Sequence, residues 1–131
     1  MSEDAGLHEP RDVVGPDGQD LHRALRSIQE ELEAVDWYDQ RARATTDTEL
    51  RAVLEHNRDE EKEHAAMVIE WVRRRDASFD RHLRTYLFTD GSIVGREAAA
   101  TDGDDSTGDA GRGGGPATGL GLGSLRDEGS K

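Results

Sequence analysis

Glu61 and His64 form a Glu-x-x-His pair within Glu61-Lys62-Glu63-His64. On a helix this spacing sets a carboxylate and an imidazole about one turn apart on one face. Carboxylates are hard anionic ligands that can bridge two cations, and imidazole binds iron and manganese readily. The pair also interrupts a heptad rhythm. Leu50, Leu54, Asn57, Glu61, His64, Val68 and Trp71 follow at intervals of four and three, one seam that is apolar at its ends and polar in its middle. Burying a charge without a partner costs several kcal/mol, and a bound metal ion would offset that cost. Two metals held roughly 3.5–4 Å apart can act together on one oxidant.

These side chains need a helical frame. Between Gln19 and Ala44 there is no glycine or proline. Leu21, Leu25, Ile28, Leu32 and Val35 keep the same four-three rhythm, which predicts an amphipathic helix. Glu31 lies three residues after Ile28 and four before Val35, so it borders that apolar stripe. A turn is expected at Ala44 to Thr48, with Thr46 and Glu49 as the two ends of a capping box. The second helix should run to about Arg75, roughly 40 Å. Three consecutive arginines there suit the negative end of its dipole. Two long helices joined so tightly fold back antiparallel, which brings Glu31 toward Glu61 and His64. Di-metal carboxylate bundles use a glutamate from each of two helices and a Glu-x-x-His from each of two others. This chain supplies half of that set, and a symmetric dimer would supply the rest at its two-fold interface.

Outside that frame the chemistry thins. Residues 1–18 carry Pro10, Pro16 and three glycines among acidic residues and read as a flexible arm with a turn at Pro16-Asp17-Gly18. Ser78 to Phe88 predict a short third helix with Phe79, Leu83, Tyr86 and Leu87 on one side. Twelve of the fifteen glycines lie in residues 91–131, which are expected to be disordered. Within them Leu120, Leu122 and Leu125 stand in Gly119-Leu-Gly-Leu-Gly-Ser-Leu-Arg126, the pattern of a short docking peptide. Domains are therefore expected as 1–18 arm, 19–90 helical hairpin and 91–131 tail. The net charge of −12 argues against nucleic acid and anionic membrane surfaces. The chain has no cysteine, which excludes thiolate metal sites and cysteine nucleophiles. No apolar run suffices for a signal peptide or a transmembrane helix, so a cytoplasmic protein is expected. His8, His22, His56 and His82 read as solvated or edge-packed. Glu30, Glu33, Glu60 and Glu63 read as solvated helix faces that could also conduct cations. Trp37 and Tyr38 read as interface packing.

Three segments resemble the encapsulated ferritins: Glu30-Glu-Leu-Glu-Ala-Val-Asp-Trp-Tyr38, His56-Asn-Arg-Asp-Glu-Glu-Lys-Glu-His-Ala65 and Arg84-Thr-Tyr-Leu-Phe-Thr89. Gly121-Leu-Gly-Ser-Leu-Arg126 resembles the peptide by which cargo docks inside encapsulin shells. The resemblance implies an all-α fold: a two-helix hairpin with a short third helix, dimerising into a ferritin-like four-helix bundle. It further implies a decameric ring of five dimers that oxidises Fe(II) with dioxygen and passes iron to the encapsulin nanocompartment around it. Carried onto this chain, the di-iron ligands are Glu31, Glu61 and His64 from each protomer. Tyr38 stands behind them and Trp37 beside the centre, while Glu30 and Glu33 form an outer metal-attracting site. Leu120, Leu122, Ser124, Leu125 and Arg126 would contact the shell. From the residues alone two other readings stay open: a structural metal clamp fastening a helical dimer, and a pure adaptor whose polar seam sets register. Manganese or another divalent cation could replace iron.

Overall fold

The computed structural model describes residues 6–105, and the chain divides into two units, up to Thr89 and from Asp90 onward. Every regular element among the described residues is helical: α1 (Arg11–Ala44), α2 (Thr48–Arg75), α3 (Ala77–Tyr86) and α4 (Ile93–Asp105). The second unit contains α4.

The long helix starts earlier than expected. Residues 11–14 already form a helical turn, with the amides of Val13 and Val14 both donating to the Pro10 carbonyl at 3.0 Å. Gly15 then breaks the path at φ 76°, ψ 170°, a conformation reserved to residues without a Cβ. Pro16, expected to open a turn in a mobile arm, is instead the first residue of the long helical run. Its missing N–H costs nothing there and its fixed φ is already helical. Arg11 and Gln19 exchange hydrogen bonds across the break, at 3.0 Å from guanidinium to amide oxygen and 2.9 Å from amide nitrogen to backbone carbonyl.

Three residues link α1 to α2. Asp47 rather than Thr46 caps α2, its carboxylate accepting the Leu50 amide at 2.8 Å. The capping box expected on Thr46 therefore does not form. An aspartate one residue later can both accept that bond and place a negative charge at the positive helix end. Arg51 closes the turn by donating to the carbonyls of Ala42 and Thr45. Beyond it, partner numbers rise on α2 as they fall on α1: Ala42 meets Arg51, Asp39 meets Arg58 and Glu31 meets His64, while Leu21 and Trp71 line one hollow. That order makes α1 and α2 an antiparallel hairpin.

Small residues hold the hairpin. Among the described residues the buried apolar ones are Ala24 and Ala42 on α1, and Ala65 and Val72 on α2. Alanines let two backbones approach closely, so the contact line runs through Ala65 and Val72. The stripe from Leu50 to Trp71 lies beside that line and is only partly buried by it. Leu50 remains 48% exposed, and Leu32 and Met67 are more than half exposed. The hairpin alone thus leaves much of its large apolar surface in water, an arrangement that disfavours an isolated protomer.

The corner into α3 is made by Asp76, which ends α2 and accepts the Phe79 amide at 2.8 Å as the cap of α3. Arg73 reaches across this corner. It donates to Glu70 on its own helix and to Asp80 on α3, with Arg74 and Arg84 completing the ion cluster. Residues 93–105, expected to be disordered, are helical. Ser92 caps them by accepting the Gly95 amide at 3.0 Å, and Arg96-Glu97-Ala98-Ala99-Ala100 favours helix strongly. The docking peptide of residues 119–126 lies outside the described residues.

Candidate metal centre

The hairpin register brings Glu31 of α1 opposite Glu61 and His64 of α2. Each of the three offers one ligand atom, and these atoms lie within 4.8 Å of one another. His64 Nδ1 stands 3.3 Å from Glu61 Oε2 and 3.8 Å from Glu31 Oε2. The two carboxylates are each about a quarter exposed and the imidazole about half (26%, 23% and 47%). The cluster therefore sits at the edge of the hairpin, open on the side away from the α1–α2 contact. A Glu-x-x-His pair on one helix face gives this geometry directly, and only the antiparallel register adds Glu31.

Two carboxylates this close disturb each other. The hydrogen bond between them raises Glu31 above its ordinary 4.5, helped by burial and by the Glu61 charge, while His64 opposes. The same bond lowers Glu61, and His64 lowers it further. Of the two, Glu31 therefore takes up a proton more readily than Glu61. Such a pair suits a cation, which cancels the repulsion between the two carboxylates. The donor set, two carboxylates and an imidazole with an open side, fits iron or manganese.

The remaining expected site residues surround this cluster unevenly. Glu30 is exposed but close enough for its charge to raise Glu31. Glu33 is exposed, and neither it nor Glu30 joins the three-ligand group. Trp37 is half exposed and Tyr38 partly buried, with the Arg41 guanidinium 5.9 Å and 5.7 Å from their ring centres. Leu120, Leu122, Ser124, Leu125 and Arg126 lie outside the described residues.

Two features had no sequence signal or only a faint one. Glu60 stands 4.0 Å from His64 Nε2 and 3.6 Å from His56 Nε2, a ladder at i, i+4 spacing along α2. Asp39 and Arg58 meet at 3.0 Å across the hairpin, with Asp39 about two turns along α1 from Glu31. This pair lowers Asp39, where Arg43 acts first and Arg58 second. Residues nineteen apart give no local pattern to read.

Among the described residues no helix is long and apolar enough to cross a membrane. The sequence profile of the EncFtn-like family matches residues 6–90. The encapsulated ferritin-like protein of Rhodospirillum rubrum is 59% identical over 124 residues, covering 92% of this chain and 88% of that protein. The encapsulin nanocompartment cargo protein EncC of Myxococcus xanthus is 34% identical over 119 residues, covering 82% and 85%. The crystal structure of protein ne0167 from Nitrosomonas europaea superposes with a TM-score of 0.65 at 56% identity, covering 67% of this chain and 97% of that one. The α-hairpin, its Glu31, Glu61 and His64 cluster and these likenesses together show that the chain belongs to the EncFtn-like family of encapsulated ferritin-like proteins.

Proposed function

We propose that two copies of this chain pair across the open side of the cluster and form a ferroxidase that oxidises Fe(II) to Fe(III). One observation carries the reading: Glu31, Glu61 and His64 offer ligand atoms within 4.8 Å of one another on an unburied edge. A two-fold axis beside that edge doubles the set to four carboxylates and two imidazoles, enough for two iron ions. The half-exposed Leu32 and Leu50 supply the apolar surface such a pairing would bury.

Iron is the substrate here. Each of two Fe(II) ions gives up one electron, and one dioxygen takes both with two protons to leave as hydrogen peroxide. Glu31 and Glu61 hold the ions and, as anions, favour the ferric product. His64 supplies a neutral donor and, through its Nε2 edge, faces Glu60. Tyr38 lies behind the ligands and Trp37 beside them, while Glu30 and Glu33 raise the local cation concentration. Manganese and other divalent cations compete for the same oxygen-rich set.

The dimers close into a decameric ring, and the ring is cargo of an encapsulin shell. The name of the Myxococcus relative supports the cargo reading. So does the 92% coverage of this chain by the Rhodospirillum relative, which carries the likeness well beyond residue 90. Leu120, Leu122, Ser124, Leu125 and Arg126 would dock to the shell, placing the enzyme in a nanocompartment within the cytoplasm.

The test is aerobic Fe(II) oxidation by the parent chain and by Glu61→Ala and His64→Ala. Each substitution removes two ligands from the paired set, so rapid oxidation should disappear in both. Parent-like rates in both variants would overturn the assignment. Metal-dependent pairing of the parent without oxidation would instead identify a structural metal clamp.

A further inference from the structure

His64 has two ring nitrogens and must offer a metal the right one. A neutral imidazole has one N–H and one lone pair, so binding a cation through one nitrogen requires the proton to sit on the other. The cluster faces Nδ1, which stands 3.3 Å from Glu61 Oε2 and 3.8 Å from Glu31 Oε2. Before an ion arrives, those carboxylates attract the ring's proton to Nδ1, the nitrogen that has to be bare. No close packing holds the ring either, because the His64 side chain is 47% exposed. The three ligands by themselves thus fix neither the tautomer nor the tilt of His64.

Glu60 meets the ring at the nitrogen the cluster does not use. Its Oε2 lies 4.0 Å from His64 Nε2. The two residues are one turn apart on α2, so a side-chain rotation closes that gap to hydrogen-bond length with no change of backbone. Glu60 is itself 47% exposed and free to make that rotation. Its other polar neighbour is His56, whose Nε2 stands 3.6 Å away. An imidazole whose Nδ1 lone pair is held by a cation is a stronger Nε2–H donor than the free neutral ring of His56. Glu60 therefore turns from His56 to His64 once the centre fills.

We infer that Glu60 is a positioning residue of the metal centre: it accepts the His64 Nε2–H and so fixes Nδ1 as the ligand nitrogen. It touches neither the ion nor the oxidant and acts only through the ring. A carboxylate that takes the far N–H of a ligating imidazole sets its tautomer and orientation and makes it a better donor. A carboxylate that acted by charge alone would need no particular atom of the ring, and an uncharged acceptor could not replace it. This inference rests on the ligand set of the proposed ferroxidase but not on iron oxidation.

Full-length parent, Glu60→Gln and Glu60→Ala test it. Fe(II) affinity, measured under anaerobic conditions by titration calorimetry, requires no oxidation. Glu60→Ala should bind Fe(II) about 10- to 100-fold more weakly than the parent. Glu60→Gln, which keeps an acceptor oxygen and loses the charge, should recover most of that loss. Nitrogen NMR of the imidazoles, with diamagnetic Zn(II) bound, reads the ring directly. In the parent, His64 should coordinate through Nδ1, with its Nε2–H shifted downfield and slow to exchange with water. That protection should vanish in Glu60→Ala and persist in Glu60→Gln. Equal affinities in all three proteins would overturn the inference. An equal loss in both variants would overturn it too, because only a charge effect would remain. Coordination through Nε2, or an unprotected Nε2–H in the parent, would overturn it even if Glu60→Ala failed to fold. Affinities in the expected order, with no oxidation in air by any of the proteins, would uphold the role of Glu60 while the ferroxidase reading fails. A parent that binds neither ion would overturn both.

Discussion

Glu31→Gln should separate the cost of the metal cluster from its benefit. The change keeps the shape and offers Glu61 an amide N–H. It removes a negative charge whose ligand atom lies within 4.8 Å of the Glu61 oxygen. At that distance two full charges repel by about 0.9 kcal/mol in water and about 3.5 kcal/mol at an effective dielectric of about 20. Both groups are about a quarter exposed (26% and 23%), so screening holds the relief to about 1–2 kcal/mol per protomer at most. Without metal the variant should therefore melt at the parent temperature or a few degrees above it. Metal binding reverses the comparison. An ion at about 100 times its dissociation constant stabilises the assembled state by about 2.7 kcal/mol. For a dimer of this size that is a rise of roughly 5–10 °C. Glu31→Gln should lose that rise. Thermal melts with and without Fe(II) under anaerobic conditions read both signs. A metal-free variant that melts well below the parent, or one that keeps the full metal-induced rise, would refute the reasoning.

Three further outcomes follow from the same structure. Asp47→Ala should destabilise the protein by about 1 kcal/mol while Thr46→Ala leaves it nearly unchanged, and paired denaturation curves would show the difference. In acid, Glu70 is held down from 4.5 to about 2, first by Arg73 and then by Arg74, and Asp80 is lowered by Arg73 and Arg84. A depressed carboxylate stabilises the fold above its ordinary pKa and loses that contribution as pH falls through the folded value, so the α2–α3 corner should loosen between about pH 4.5 and 2. Circular dichroism during acid titration should show the effect, and Arg73→Met should flatten that part of the curve. Deleting residues 119–131 should leave folding and iron oxidation intact and abolish capture by a co-expressed encapsulin shell. Equal loading of both proteins would show that the segment is only a solvated end.

The sequence disclosed the site more fully than the packing around it. Glu61 and His64 share a face by spacing alone, and the tight turn sufficed to bring Glu31 opposite them. The helix contact was harder to read because alanine carries little hydropathy signal. Ala24, Ala42, Ala65 and Val72 form it, while the conspicuous leucines lie to one side. The same competition misplaced the cap. Thr46 and Glu49 matched a familiar box, but Asp47 combines an acceptor with a favourable charge. Gly15 and Pro16 looked like breakers in a loose arm, yet a glycine break followed by proline is also a way to begin a helix. Glycine-rich composition hid α4, although Ser92 and three consecutive alanines mark its start and body. The Arg73 cluster spans a corner between two helices, so no single-helix period reveals it.

Native mass spectrometry with added Fe(II), under anaerobic conditions, measures the central claim most directly. If Glu31, Glu61 and His64 from two chains build one centre, iron should appear in pairs on dimers and on even-numbered assemblies. Monomers should carry none, and His64→Ala should abolish the pairs. Monomers that each retain one iron ion, or dimers loaded equally with and without His64, would contradict the account.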